Sequence, residues 1–232
     1  MTDDQNRNPE TAEEQPMALD QTKILQRMKD IASDLWGTVM PDLPEETSGS
    51  AGTKPQAGGI RKTAEGESAL QNIWKTADET IDWTDALAHS TPTDGLTGQK
   101  LWGFYHKLAS KVLAGDLDAY TEVLKRANPL GELTDFAESI NMRVSSGDRL
   151  ESCFVCKPEL MDKNRKLYLS AMALRIARDM LACLPVSEVC VRGESDGKTV
   201  FEATYPRRLL LHRNFAFVDP VALAKECGAV FS

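Results

Sequence analysis

The stretch from Leu167 to Val191, LYLSAMALRIARDMLACLPVSEVCV, decides the fold. The spacing predicts a helix from about Leu160 to Cys183 that is apolar on nearly every side, with Leu167, Tyr168, Leu169, Met172, Leu174, Ile176, Met180 and Leu181 spread round its circumference. A helix of that kind lies between other layers of structure. Leu184-Pro185 ends it, and Val189, Cys190 and Val191 form the continuous apolar run of an inner strand. Leu167 to Val186 is about long enough to cross a bilayer, but Arg175, Arg178 and Asp179 lie within it. Each costs roughly 2.5–3.5 kcal/mol at a membrane helix centre, so the reading is a buried helix of a soluble protein.

Working outward, Ile140, Met142 and Val144 alternate with Asn141, Arg143 and Ser145, and Ser146-Gly147-Asp148 turns the chain into a second strand from Leu150 to Cys156. Beyond the helix, Ser195-Asp196-Gly197 is a tight turn leading into Val200 to Tyr205. Asp219-Pro220 caps a short helix that Gly228 stops. On the other side, Leu101 to Leu113 and Leu117 to Arg126 read as helices, the latter stopped by Asn128-Pro129. A helical period from Ser68 runs through Leu70, Ile73, Trp74, Ala77, Ile81 and Leu87, with Trp83 off the stripe. The expected class is α+β: a helical N-terminal half, then a β-β-α-β-β unit with a mostly antiparallel sheet packed on the long helix. One domain is expected over residues 67–232, helical over 67–139 and sheet-bearing over 140–232.

Ahead of it the sequence divides into three. Residues 1–19 are acidic and poor in large apolar side chains, the composition of a disordered tail. Residues 20–37 carry Ile24, Leu25, Met28, Ile31, Ala32, Leu35 and Trp36 at helical spacing, which predicts an amphipathic helix. Residues 38–66, including PDLPEETSGSAGTKPQAGGIRKTAEG, read as a flexible linker. Its 26 most flexible residues span roughly 28 Å, against a radius of gyration of about 15 Å for the domain behind it. The helix therefore either packs on its own domain, favoured by local concentration, or anchors in another subunit through Ile24, Met28, Ile31, Leu35 and Trp36. A membrane-surface role is disfavoured by the short stripe and acidic flanks.

The 232 residues carry a net charge of −8, distributed as −5 over residues 1–65, −6 over 66–140 and +3 over 141–232. That modest basic excess does not make the concentrated face of a nucleic-acid binder. Met-Thr-Asp-Asp-Gln-Asn-Arg at the front lacks the apolar core of a secretory signal, and five cysteines are too few for a disulfide framework. The expected location is the cytoplasm, with reduced thiols and no membrane attachment.

Candidate chemistry is sparse. Cys153 and Cys156 have metal-ligand spacing, but residues three apart on a strand point to opposite faces, so no metal site is expected. Gly95 to Lys100 has the wrong spacing for a phosphate loop. Arg175 and Asp179 stand four apart on the most apolar helix, the spacing of a helical ion pair. The alternative is an anion site in which Arg175, Arg178, Arg207 and Arg208 hold a carboxylate or phosphate. No cofactor is expected and no catalytic set assembles; His212 is the nearest to a general base.

Ala114 to Leu133 (AGDLDAYTEVLKRANPLGEL), Leu174 to Val191 and Val218 to Ala224 (VDPVALA) resemble, in this order, the C-terminal domain of a family of uncharacterised bacterial proteins. The resemblance covers about residues 100 to 230 and leaves the N-terminal helix and linker outside. It implies no activity, since no catalytic residue is established for that family. The expected function is a non-catalytic protein-interaction module in a bacterial cytoplasm, meeting a protein partner or a second copy through its N-terminal helix. The alternative is an anion- or nucleic-acid-associated protein or enzyme using Arg175, Arg178, Arg207, Arg208 and Arg213, with binding that weakens steeply with salt.

Overall fold

Five strands form one sheet whose order in space follows the chain: β1 (Ala137–Val144), β2 (Arg149–Cys156), β3 (Glu188–Ser195), β4 (Lys198–Pro206) and β5 (Val230–Phe231). A computed structural model of the chain describes residues 70–93 and 99–232. The expected tail, amphipathic helix and linker over residues 1–66 lie outside the described residues, as does most of the run Gly95 to Lys100. The class is α+β, with helices α1 (Trp83–Ala88), α2 (Gln99–Ala114), α3 (Leu117–Ala127), α4 (Pro158–Cys183), α5 (Arg207–Leu210) and α6 (Pro220–Glu226).

Three of the four strand pairs are antiparallel, and β2 with β3 is parallel. The parallel pair is the consequence of α4, which crosses from the end of β2 back to the start of β3. The sheet starts at Ala137, three residues before the expected boundary. Strand alternation separates its two faces. Leu150 and Phe154 of β2, Val189 and Val191 of β3, and Phe201, Ala203 and Tyr205 of β4 are buried on the face that α4 covers. The opposite face carries cross-strand charge pairs, Arg149 to Glu188 at 2.8 Å and Arg192 to Glu151 at 3.6 Å.

Local signals explain most element ends. Asp116 caps α3 by accepting from the Ala119 amide at 2.8 Å, and Asn128 closes it in the left-handed region at φ 47°. Asp196 and Gly197, with φ of 51° and 70°, make the two-residue turn between β3 and β4. Asp219 caps α6 ahead of Pro220.

Two expectations are corrected. Residues 68–87 do not form one helix in their described part. A turn over residues 71–75 leads into a strap without helix or strand over residues 76–82, and α1 begins at Trp83, where Asp82 accepts from the amides of Thr84 and Asp85. Of the periodic apolar residues Leu70, Ile73, Trp74 and Ile81 are nonetheless buried, as is the off-stripe Trp83 at 4% exposure, while Ala77 and Leu87 are half-buried. Burial here comes from packing against α4 and α2, not from a shared helical face. The long helix is also interrupted at Asn164 (φ −153°, ψ 79°), whose side chain accepts from the Leu167 amide. The buried portion of α4 thus begins with its own cap.

Gly193 marks where sheet and helix come closest: a Cβ there would stand 2.9 Å from the Phe154 ring and 3.2 Å from Leu169. Gly193→Ala should cost about 1–3 kcal/mol through overpacking. Gly103, mid-helix in α2 with open space around it, should gain up to about 1 kcal/mol when changed to Ala. Urea unfolding of both variants checks this opposition of signs.

Candidate functional site

A helix that ends inside a protein leaves its last four carbonyls without intrahelical donors. At the C-terminus of α4 each finds a partner from elsewhere in the chain. The Ile81 amide donates to Ala182 O at 2.9 Å, and the Trp83 indole Nε1 donates to Cys183 O at 3.0 Å. Arg207 at the start of α5 supplies the rest, donating to Leu181 O at 2.5 Å, Leu184 O at 2.6 Å and Val186 O at 2.7 Å. Its positive charge also suits the negative end of the helix dipole.

One and two turns earlier, α4 grips the strap with charged side chains. Asp179, fully buried, accepts from Arg175 Nε at 2.6 Å and from the Asp78 amide at 2.9 Å. Arg175 reaches on with its terminal nitrogens to the Thr76 hydroxyl at 2.6 Å, Ile73 O at 3.4 Å and Glu132 at 3.4 Å. Arg178 donates to the carbonyls of Trp74 and Thr76 and lies over the Phe215 ring, 3.7 Å from its centroid. Trp74 in turn donates to Val218 O at 3.1 Å.

Burial pushes the Asp179 carboxyl up to about 6, against the pull of Arg175 and the Asp78 amide. Burial also raises Asp78 above its usual range. The thiols of Cys153 and Cys227 are pushed up to about 11, and those of Cys156 and Cys183 to about 12. Such thiols stay protonated at neutral pH and are weak nucleophiles. All five cysteines are free, and Cys153 and Cys156 lie on opposite faces of β2, as alternation requires.

Two hollows flank Thr80 and Arg207. One, of 260 Å³, lies between the start of α1 and the end of α4, lined by Trp83, Leu181, Leu184 and Pro185 among others. The other, of 180 Å³, lies between the strap and α5, lined by Asp78, Arg178, Leu210, Leu211 and Phe215. They share Thr80, Leu181, Ala182 and Arg207 and together make one groove. Of its apolar lining Leu211 is the most open, at 36% exposure. A third hollow, of 420 Å³, lies between β4 and the segment from Cys227 to Ser232.

The proposed anion ligands are placed as follows. Arg178 and Arg207 line the same groove, as that reading needs, but their donors are turned toward main-chain carbonyls. Arg175 is buried, its donors held by Asp179, Thr76, Ile73 and Glu132. Arg208 is exposed on α5, and Arg213 pairs with Glu226. His212 is exposed on the turn after α5. The partner-binding residues Ile24, Met28, Ile31, Leu35 and Trp36 lie outside the described residues. Sequence reasoning paired Arg175 with Asp179 but missed Thr76, Asp78, Ile81 and Trp83. The available signal was a buried helix end followed by Leu-Pro, which demands outside donors, and a tryptophan off its stripe.

No family model, no curated protein and no solved structure matches this chain.

Arg175→Met should cost about 3–5 kcal/mol in urea unfolding, because it leaves Asp179 buried without its cation. A carboxyl raised to about 6 contributes stability that is fully present below its ordinary 3.8 and lost as the pH rises through 6. The stability difference between the native chain and Asp179→Asn should therefore move in favour of the native chain as the pH falls from 7 to 4. A difference constant over that range would show an unshifted carboxyl.

Proposed function

We propose that this chain is a non-catalytic protein-interaction module, at work in a bacterial cytoplasm, that binds an apolar helical segment in the groove beside the strap. The observation that carries this reading is an apolar groove with an exposed leucine in its lining, Leu211 at 36% exposure. An exposed large apolar side chain in a concave lining is what a binding surface offers. Arg178 and Arg207, which could have served an anion, instead brace the groove's walls through carbonyl contacts. Five free thiols suit a reducing compartment. Among the described residues no helix is long and apolar enough to cross a membrane. The bacterial assignment and the location rest on the sequence reading and belong to the same proposal.

A panel of amphipathic helical peptides titrated against the full chain tests this. Peptides with apolar residues at i, i+3, i+4 and i+7 should bind, and Leu211→Asp should weaken them at least tenfold. A flat response to every peptide, together with salt-sensitive binding of nucleotides or short DNA, would hand the function to the anion reading.

A further inference from the structure

We infer that the groove is filled by this chain's own residues 20–37, docked in cis, so that an outside partner binds only by displacing them. The inference rests on the binding-groove reading and names its resident ligand.

Reach supports it first. The described chain begins at Leu70, buried ahead of the turn that leads into the strap. Seven residues later Ala77 forms part of the groove wall, so at most about 25 Å of chain separates the two. Residues 38–69 add a Pro-, Gly- and Ser-rich tether with a typical span of about 30 Å. A tether whose natural span matches the distance holds its cargo at an effective concentration in the millimolar range. An outside segment would need to be tight or abundant to compete.

The chemistry of the two surfaces fits. Ile24, Met28, Ile31 and Leu35 recur at four, three and four residues, the anchor spacing of a helix laid in a groove, with Trp36 at the end. The groove's apolar lining includes Leu181, Leu210, Leu211 and Phe215, of which Leu211 is the most exposed.

The experiment uses the full-length chain throughout. A fluorescent peptide of residues 18–38 is titrated into the native protein and into Ile31→Asp/Leu35→Asp, which spoils the tethered stripe and leaves every groove residue intact. In parallel, a photoreactive benzoylphenylalanine replaces Leu211, and a mixture of isotopically labelled and unlabelled copies is irradiated. The stripe variant should bind the peptide about tenfold more tightly than the native chain, as expected when a segment of about 100 μM intrinsic affinity competes at about 1 mM. Crosslinks should join position 211 to residues 20–37 of the same molecule. Equal binding to both proteins would overturn docking in cis while leaving the groove as a peptide site. Absence of binding to either would overturn both readings. Crosslinks between labelled and unlabelled copies would show the stripe seated in a second molecule and overturn the inference.

Discussion

Four carbonyl oxygens at the end of a buried helix organise this molecule. Their residues are buried, and an unpaired buried carbonyl costs about 1–3 kcal/mol, so the fold must bring donors to Leu181, Ala182, Cys183 and Leu184. It brings a backbone amide, an indole and a guanidinium, from segments about a hundred residues before and some twenty after. The non-helical course of residues 76–82 follows from this, since a helical strap would have turned its amides inward on itself. The placement of α5 follows too, because Arg207 must stand over the helix end. The groove is the space left between these two sets of donors.

The two arginines one turn apart on α4 divide the labour. Arg175, inside, is matched by a carboxylate on its own helix, a hydroxyl on the strap and a carbonyl in the turn ahead of it. Arg178, at the margin, gives its charge to carbonyls and its flat face to Phe215. A guanidinium suits this work where an ammonium would not, since its planar fork meets several acceptors at once and still stacks on a ring. The same polar contacts that look expensive inside an apolar layer therefore fix the register between strap and helix.

How much of this was legible beforehand differs by element. Both hairpins, the long helix, Asp219-Pro220 and the Asp196-Gly197 turn could be read from sequence, because alternation, apolar periodicity and turn residues act over a few positions. The pair Arg175–Asp179 was legible for the same reason. The strap was not. Its apolar residues fall at helical intervals, yet what decides their conformation lies a hundred positions away in the demands of another element. The break at Asn164 was missed because a single capping side chain inside a polar run gives no periodic signal. The direction of the arginine side chains was beyond reach too: clustered cations read alike whether they await an anion or a row of carbonyls.

The separation between strap and helix end has a further consequence during synthesis. Trp74, Ile81 and Trp83 leave the ribosome about a hundred residues before Cys183, their partner region. At roughly 5–20 residues per second, that is an interval on the order of 5–20 s in which two tryptophans and an isoleucine wait without the surface they belong to. A nascent chain of this kind presents sticky side chains early and buries them late. That timing makes the strap a natural stopping point for a chaperone that samples emerging polypeptide.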